Sequence, residues 1–147
     1  MPRNAVAYEQ DFFAWTREQA RLLREGSLSE IDAGNIAEEL ESMGRNDRRE
    51  LRSRLIVLLM HLLKYRFQPD HISPSWRTTI RTQRDEIAAL LADSPSLRPA
   101  IGELLGGAYK RARQDAIDET ELAAAIFPAE CPFTPEQLLA EDFLPDA

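Results

Sequence analysis

The sequence has little that would anchor the chain in a membrane or bridge it covalently. Its 147 residues include one cysteine, Cys131, so no disulfide can form within the chain. The longest nearly apolar run is Leu55–Leu63, interrupted by His61, whereas a membrane-spanning helix needs about 20 apolar residues. No apolar stretch of signal-peptide length lies near the N-terminus. These absences predict a cytoplasmic protein without a membrane segment, because thiols stay reduced in that compartment.

Known catalytic and cofactor motifs are also missing. No serine lies in a Gly-x-Ser-x-Gly elbow, and there is no phosphate loop or dinucleotide fingerprint. Neither His61 nor His71 follows a glutamate by three positions, so the paired Glu-x-x-His motif of a di-iron bundle is absent. Cys131 has no basic neighbour in sequence to favour its thiolate. The sequence therefore predicts no cofactor, no metal site and no catalytic residue, and it favours a protein that is not an enzyme.

Strand patterns are missing too, since no segment alternates apolar and polar residues and the chain has only two valines. Long segments instead repeat apolar residues at helical spacing. We predict an all-α fold in a single domain over residues 1–147. An antiparallel up-and-down helical bundle of about five helices covers about residues 8–118. A proline-rich C-terminal arm, with four of the nine prolines, covers about residues 119–147.

Capping residues and glycines set the boundaries of the first two predicted helices. Asp11 is predicted to cap the first helix, and Gly26 is predicted to end it. The second helix is short: it follows Asp32, and Gly44 is its natural stop or kink. Its apolar residues share one face: Ala33, Ile36, Ala37, Leu40 and Met43.

The third predicted helix, from Asp47 to about Phe67, is apolar on three sides from residue 55 onward. Such a helix has neighbours on three sides, so we expect it to be the hub of the fold, with Leu59 in the core. One narrow polar stripe runs along it at 100° per residue. We call this the α3 polar stripe, and its main members are Glu50, Arg54, His61 and Lys64.

The α3 polar stripe needs partners, because an unpaired buried charge is costly. Glu39 and Glu41 on the acidic second helix are candidates. An internal polar network that fixes the helix register is the favoured interpretation. A site for a small anionic ligand, or for the substrate of a small-molecule enzyme that uses His61 and Lys64, is an alternative. Plain exposure to solvent is a third.

Later in the chain, further residues mark the starts of predicted helices. Ser73-Pro74 predicts a cap and a first-turn proline for a fourth helix. A fifth helix is predicted to run to about Asp118, with Gly106-Gly107 as either a close helix crossing or a weak point. The segment Thr134–Gln137 is a capping box, which predicts one short helix within the arm.

Charge is unevenly distributed along the chain. Residues 45–84 carry ten basic and three acidic side chains, although the whole protein has a net charge of −7. The basic segment either pairs with the acidic segments or forms a face for nucleic acid. Arg77, Arg81 and Arg84 lie beside one another on the fourth predicted helix and are the candidate phosphate contacts. Internal pairing is favoured, because an acidic protein repels phosphate at long range.

Three longer strings carry a family resemblance: NIAEELESMGRNDRRELRSRLIVLLMHLLKYRFQP, SWRTTIRTQRDEI and CPFTPEQLLAEDFLP. The most specific part is HLLK followed about a dozen residues later by SW. Over about residues 8–145, the chain resembles the bacterial family catalogued as domain of unknown function number twenty-nine. The resemblance implies an all-helical, bundle-like domain, and it supplies no activity, ligand or catalytic residue.

These observations favour a non-catalytic cytoplasmic interaction or regulatory module. A protein partner and homo-oligomers are both compatible with such a module, a nucleic-acid partner is less favoured, and no membrane contact is predicted. One alternative is a nucleic-acid-associated regulator that uses the basic middle segment. The other is a small-molecule enzyme built on the α3 polar stripe.

Overall fold

The computed structural model describes residues 3–146 and the side chains of residues 7–146. Within that range the protein is all-α, as predicted: there are six α-helices, three short 3-10 turns and no strand. Four of the helices are long. The α-helices are α1 (Arg3–Gln10), α2 (Phe12–Arg24), α3 (Ala33–Phe67), α4 (Pro74–Asp93), α5 (Arg98–Thr120) and α6 (Pro135–Leu139).

The fold divides into two compact units at Asn46. Unit 1 is Met1–Asn46, and unit 2 is Asp47–Ala147. The division falls inside α3, which is helical on both sides of it. The single domain over residues 1–147 stays a prediction.

Helix α3 corrects the prediction of two separate helices. It is one helix of 35 residues, with no end at Gly44 and no new start at Asp47. The reason is that an interior glycine costs a helix only about 1 kcal/mol. Glycine ends a helix where the chain turns into the left-handed region. Gly26, which follows α2, has a φ of +76° and makes that turn, whereas Gly44 has no positive φ.

Unit 1 is held by a few polar contacts around a small core. Asp11 caps α2, as predicted, by accepting a hydrogen bond from the Ala14 amide. The Trp15 indole donates to the Asp32 carboxylate at 3.1 Å, and the Asp32 amide donates to Gln19 Oε1 at 2.7 Å. In the described part of unit 1, only three side chains are buried: Trp15, Gln19 and Leu22.

Unit 2 contains the main hydrophobic core, and α3 is its hub, as predicted. Six leucines of α3 have no exposed surface: Leu51, Leu55, Leu58, Leu59, Leu62 and Leu63. They pack against apolar residues of α4 and α5 and against Phe127, Phe133 and Leu138 of the arm. Helices α3, α4 and α5 and the arm therefore share one hydrophobic core.

Side-chain contacts give the helix directions in unit 2. Arg54 contacts Gln83, whereas Lys64 lies over Trp76, so α3 and α4 run antiparallel. Two contacts between α3 and α5 join residues 55 positions apart, which makes these two helices parallel. These are Arg48 with Glu103 and Lys64 with Glu119. The three helices therefore alternate in direction along the chain, as an up-and-down bundle requires.

The local signals of the later helices are confirmed. Ser73 caps α4 by accepting from the Trp76 amide, and Thr134 and Gln137 form the capping box of α6. Helix α5 passes through Gly106-Gly107 without a break. A Cβ atom on either glycine would meet no atom of another helix within 4 Å, so the pair does not mark a close helix crossing.

Candidate functional site

Lys64, at the C-terminal end of the α3 polar stripe, is a buried cation with partners inside unit 2. Only 4% of the residue is exposed. Its ammonium donates to Glu119 Oε1 at 2.7 Å and lies 4.6 Å from the centre of the Trp76 ring. A carboxylate and an aromatic face together stabilise a desolvated ammonium. Lys64 therefore ties α3 to both α4 and α5.

Glu39 and Glu41, the predicted partners of the stripe, have other contacts. The Tyr8 hydroxyl donates to Glu39 at 2.5 Å. Glu41 is exposed and lies 3.9 Å from Arg45. The carboxylate that Lys64 contacts instead belongs to Glu119, on α5.

Arg54, at the other end of the stripe, joins α3 to α4. Its guanidinium lies 3.3 Å from Glu50, 3.7 Å from Glu86 and 3.5 Å from the Gln83 side-chain oxygen. The arginine side chain keeps about a third of its surface in water (31% exposed). Exposed ion pairs of this kind add little stability, about 0–1 kcal/mol each. Arg54 and Glu50 thus have partners within the protein.

His61 lies between these two clusters and is half-buried. Its Nδ1 lies 2.8 Å from the Val57 carbonyl oxygen, so in the neutral ring Nδ1–H donates to that oxygen. Burial lowers the pKa of His61, and the nearby Lys64 ammonium lowers it further. His61 is therefore a neutral side chain at pH 7 and does not add positive charge to the stripe.

The lowered pKa of His61 predicts a pH-dependent stability. Because the folded state binds this proton more weakly than the unfolded state, the folded protein is expected to lose stability as pH falls below about 6.5. The free energy of unfolding, measured in urea from pH 7.5 to 5.5, should fall less steeply in His61→Gln. His71→Gln, which changes an exposed histidine, should keep the parent slope. An equal slope in all three proteins would contradict this assignment.

The three candidate phosphate contacts on α4 have different environments. Arg77 and Arg81 are exposed, whereas Arg84 is only 5% exposed. Arg84 donates from Nε to the Leu138 carbonyl oxygen at 2.9 Å, from Nη1 to that of Phe143 at 2.7 Å, and from Nη2 to that of Gln137 at 3.1 Å. All three nitrogens of the Arg84 guanidinium thus donate to the backbone of the C-terminal arm. Burial lowers the pKa of this group.

Helix α5 holds the beginning of the arm in the same way. The Tyr109 hydroxyl donates to the Pro128 carbonyl oxygen at 2.6 Å, and burial raises the pKa of Tyr109 to about 12. Arg113 donates to the carbonyl oxygens of Ala124, Phe127 and Pro128. The arm is therefore a structural part of unit 2, fixed through its backbone as well as through its buried phenylalanines.

The side chains that bind metals or act as nucleophiles do not form a reactive site in the described residues. Over residues 3–146, no three histidine, cysteine or acidic side chains come together as metal ligands would. Cys131 is half-buried, its sulfur lies 3.4 Å from the Phe133 carbonyl oxygen, and burial raises the pKa of its thiol. A raised pKa keeps the thiol protonated, which is the opposite of what a nucleophile requires.

Exposed apolar residues concentrate in unit 1, a feature the sequence reasoning did not single out. Of the eight large apolar side chains that are exposed in the described range, six belong to this unit. Phe13 is 71% exposed, and Leu40 and Met43 are each 63% exposed. The six are Phe12, Phe13, Leu23, Leu28, Leu40 and Met43. The sequence places Leu40 and Met43 on one apolar face but does not show that the face is open.

The structure defines an all-α protein in which Lys64, Arg54 and Arg84 have hydrogen-bond or ion-pair partners within the protein. The family model described as Domain of unknown function DUF29 matches residues 7–144, so the chain belongs to this family, as the resemblance predicted. No curated protein and no solved structure matches the chain. Among the described residues, no helix has the length and apolar character needed to cross a membrane.

Proposed function

We propose that this protein is a non-catalytic interaction module that binds another protein through unit 1. The observation that carries the proposal is the group of six exposed large apolar side chains in a unit with three buried ones. Large apolar side chains left exposed on a small unit favour an interaction surface, because burying them against a partner removes apolar area from water. Unit 2, with its continuous leucine core, supplies a stable scaffold in this proposal.

The polar clusters support a non-catalytic function over the enzyme alternative. The Lys64 ammonium already contacts the Glu119 carboxylate and the Trp76 ring. The Nδ1 atom of His61 lies within hydrogen-bonding distance of a backbone carbonyl oxygen of its own helix. An active site normally combines a concave pocket with several converging polar groups. Three surface grooves among the described residues are lined by α2, by the C-terminal arm and by the start of α5 with α6, and none of these three includes a residue of the α3 polar stripe.

The arrangement of arginines weakens the nucleic-acid alternative. Arg84 is buried against backbone carbonyls, and Arg48 and Arg54 are paired with carboxylates. A phosphate contact needs a cation that can reach the ligand. Of the three candidate phosphate contacts on α4, only Arg77 and Arg81 remain. With an overall charge of −7, the protein also repels a polyanion at long range.

The proposed location is the cytoplasm. Thiols stay reduced there, and a protein with a single cysteine has no disulfide within the chain to maintain.

Photo-crosslinking in cells that naturally make the protein tests this proposal. A benzophenone amino acid at Phe13 or Met43 is expected to give a discrete adduct with another protein, because both side chains point into solvent at the proposed interface. The matched control is the same amino acid at Lys110, an exposed position on α5. Adducts from the control alone, or equally from all three positions, would contradict the proposal.

A further inference from the structure

The open face of α3 in unit 1 carries exposed apolar residues at helical spacing. Ile36, Leu40 and Met43 follow each other at spacings of four and three, which places them on one side of the helix. Leu40 and Met43 are largely exposed, and Ile36 is half-buried. We call this row the Leu40 stripe.

Small residues beside the Leu40 stripe leave room for another helix. Ala33, Ala37 and Gly44 are exposed on the same side of α3, and a Cβ atom added to Gly44 would meet nothing within 4 Å. Small side chains let two helix backbones approach closely, and the larger side chains of one helix then pack between those of the other. From residue 33 to residue 44 this face of α3, which includes the Leu40 stripe, is about 16 Å long at ~1.5 Å per residue, and that length matches about three turns of a partner helix.

The charge around the Leu40 stripe is negative. Residues 25–44 contain six acidic side chains and no basic one. At 100° per residue, Glu41 borders this face of α3 beside Ala37, and Glu38 lies behind Glu41, toward the opposite side of the helix. Both are more than half exposed, and Glu41 and Glu38 lie 3.9 Å and 3.0 Å from Arg45, respectively. Glu39, whose carboxylate accepts a hydrogen bond from the Tyr8 hydroxyl, lies on the other flank of the stripe. A partner that fits this rim carries positive charge.

This charge distinguishes among the possible occupants. A second copy joined through the same face by twofold symmetry would bring two acidic rims together. An anionic membrane or a nucleic acid would be repelled in the same way. Resting on the proposed function, we infer that the Leu40 stripe binds an amphipathic helix of a partner protein, with apolar residues on one face and lysine or arginine beside them.

A designed peptide tests this inference. The probe is a fluorescent peptide of about 16 residues with leucine at helical spacing and lysine elsewhere, and its binding is measured by anisotropy. The controls are a scrambled peptide of the same composition and a peptide with glutamate in place of lysine. We expect binding of the patterned lysine peptide only, because both the apolar face and the charge must match. Equal binding of the scrambled or glutamate peptide would overturn the inference.

Variants of the protein locate the bound peptide. Leu40→Gln with Met43→Gln keeps good helix formers and is expected to weaken binding by at least about tenfold. Ile126→Gln, an exposed apolar site in unit 2, should leave binding unchanged. Circular dichroism confirms that each variant is folded. Unchanged affinity in the folded double variant would show that the peptide binds elsewhere and would overturn the assignment.

Charge variants test the acidic rim. Glu38→Gln with Glu41→Gln is expected to weaken binding about three- to tenfold at low salt, with little difference left near 1 M salt. Glu130→Gln with Glu141→Gln removes the same charge from exposed sites of the arm and should have a smaller effect. Equal effects of the two pairs would mean that only net charge matters, and would overturn the inference.

The crosslinking experiment separates this inference from the proposed function. If Met43 crosslinks to a protein through a segment that is not a basic helix, the proposed function stands and the inference fails. A dimer in sedimentation that is lost in Leu40→Gln with Met43→Gln also overturns the inference, since it makes a second copy the occupant. Absence of both discrete crosslinks and peptide binding overturns both.

Discussion

Replacing Leu59 with alanine is expected to lower the free energy of unfolding by about 2–5 kcal/mol. Leu59 has no exposed surface, and it lies in the row of α3 leucines that the other helices and the arm enclose. The loss combines the transfer free energy of the removed carbons with the cost of the cavity left behind. Urea unfolding followed by circular dichroism measures it.

The same helix supplies a matched control for Leu59. Leu40→Ala removes the same atoms from a side chain that is 63% exposed, so its expected effect is within about 0.5 kcal/mol. A loss below about 0.5 kcal/mol for Leu59→Ala, or equal losses for the two variants, would mean that α3 is not the hub of the core.

Arg84→Met is expected to lower the free energy of unfolding by about 2–4 kcal/mol, because it leaves three carbonyl oxygens without their donor. The change should also release the C-terminal arm, so limited proteolysis is expected to cut within residues 128–145 sooner than in the parent. Arg84→Lys should have an intermediate effect, since one ammonium cannot reproduce the planar fork of a guanidinium.

Arg81→Met, on the exposed side of the same helix, is the control for Arg84. It should change stability by no more than about 0.5 kcal/mol and leave the proteolysis pattern as it is. If Arg84→Met behaved like this control, the guanidinium would not be what holds the arm.

Local signals explain which parts of the fold were predictable. The Ser73 and Thr134 caps and the left-handed turn at Gly26 depend on neighbouring residues alone, and all three are confirmed. The buried leucines of α3 follow from the apolar circumference of the helix. The predicted helix end at Gly44 was wrong, because glycine lowers helix propensity without preventing helix formation.

Contacts between distant segments were not predictable in the same way. Lys64 pairs with Glu119, which is 55 residues away, and this pairing depends on the register of α5 against α3. Arg84 binds main-chain carbonyl oxygens, which every residue has, so no sequence signal marks them as its partners. Helical periodicity places Leu40 and Met43 on one face but does not show what, if anything, covers that face.

Hydrogen–deuterium exchange shows where the lysine peptide binds. In the complex, backbone amides along residues 33–44, which include the Leu40 stripe, are expected to gain protection, whereas those of α4 and α5 should change little. Protection centred on residues 74–93 instead, around Arg77 and Arg81, would contradict this expectation. So would a gain in residues 33–44 that persists undiminished in Leu40→Gln with Met43→Gln.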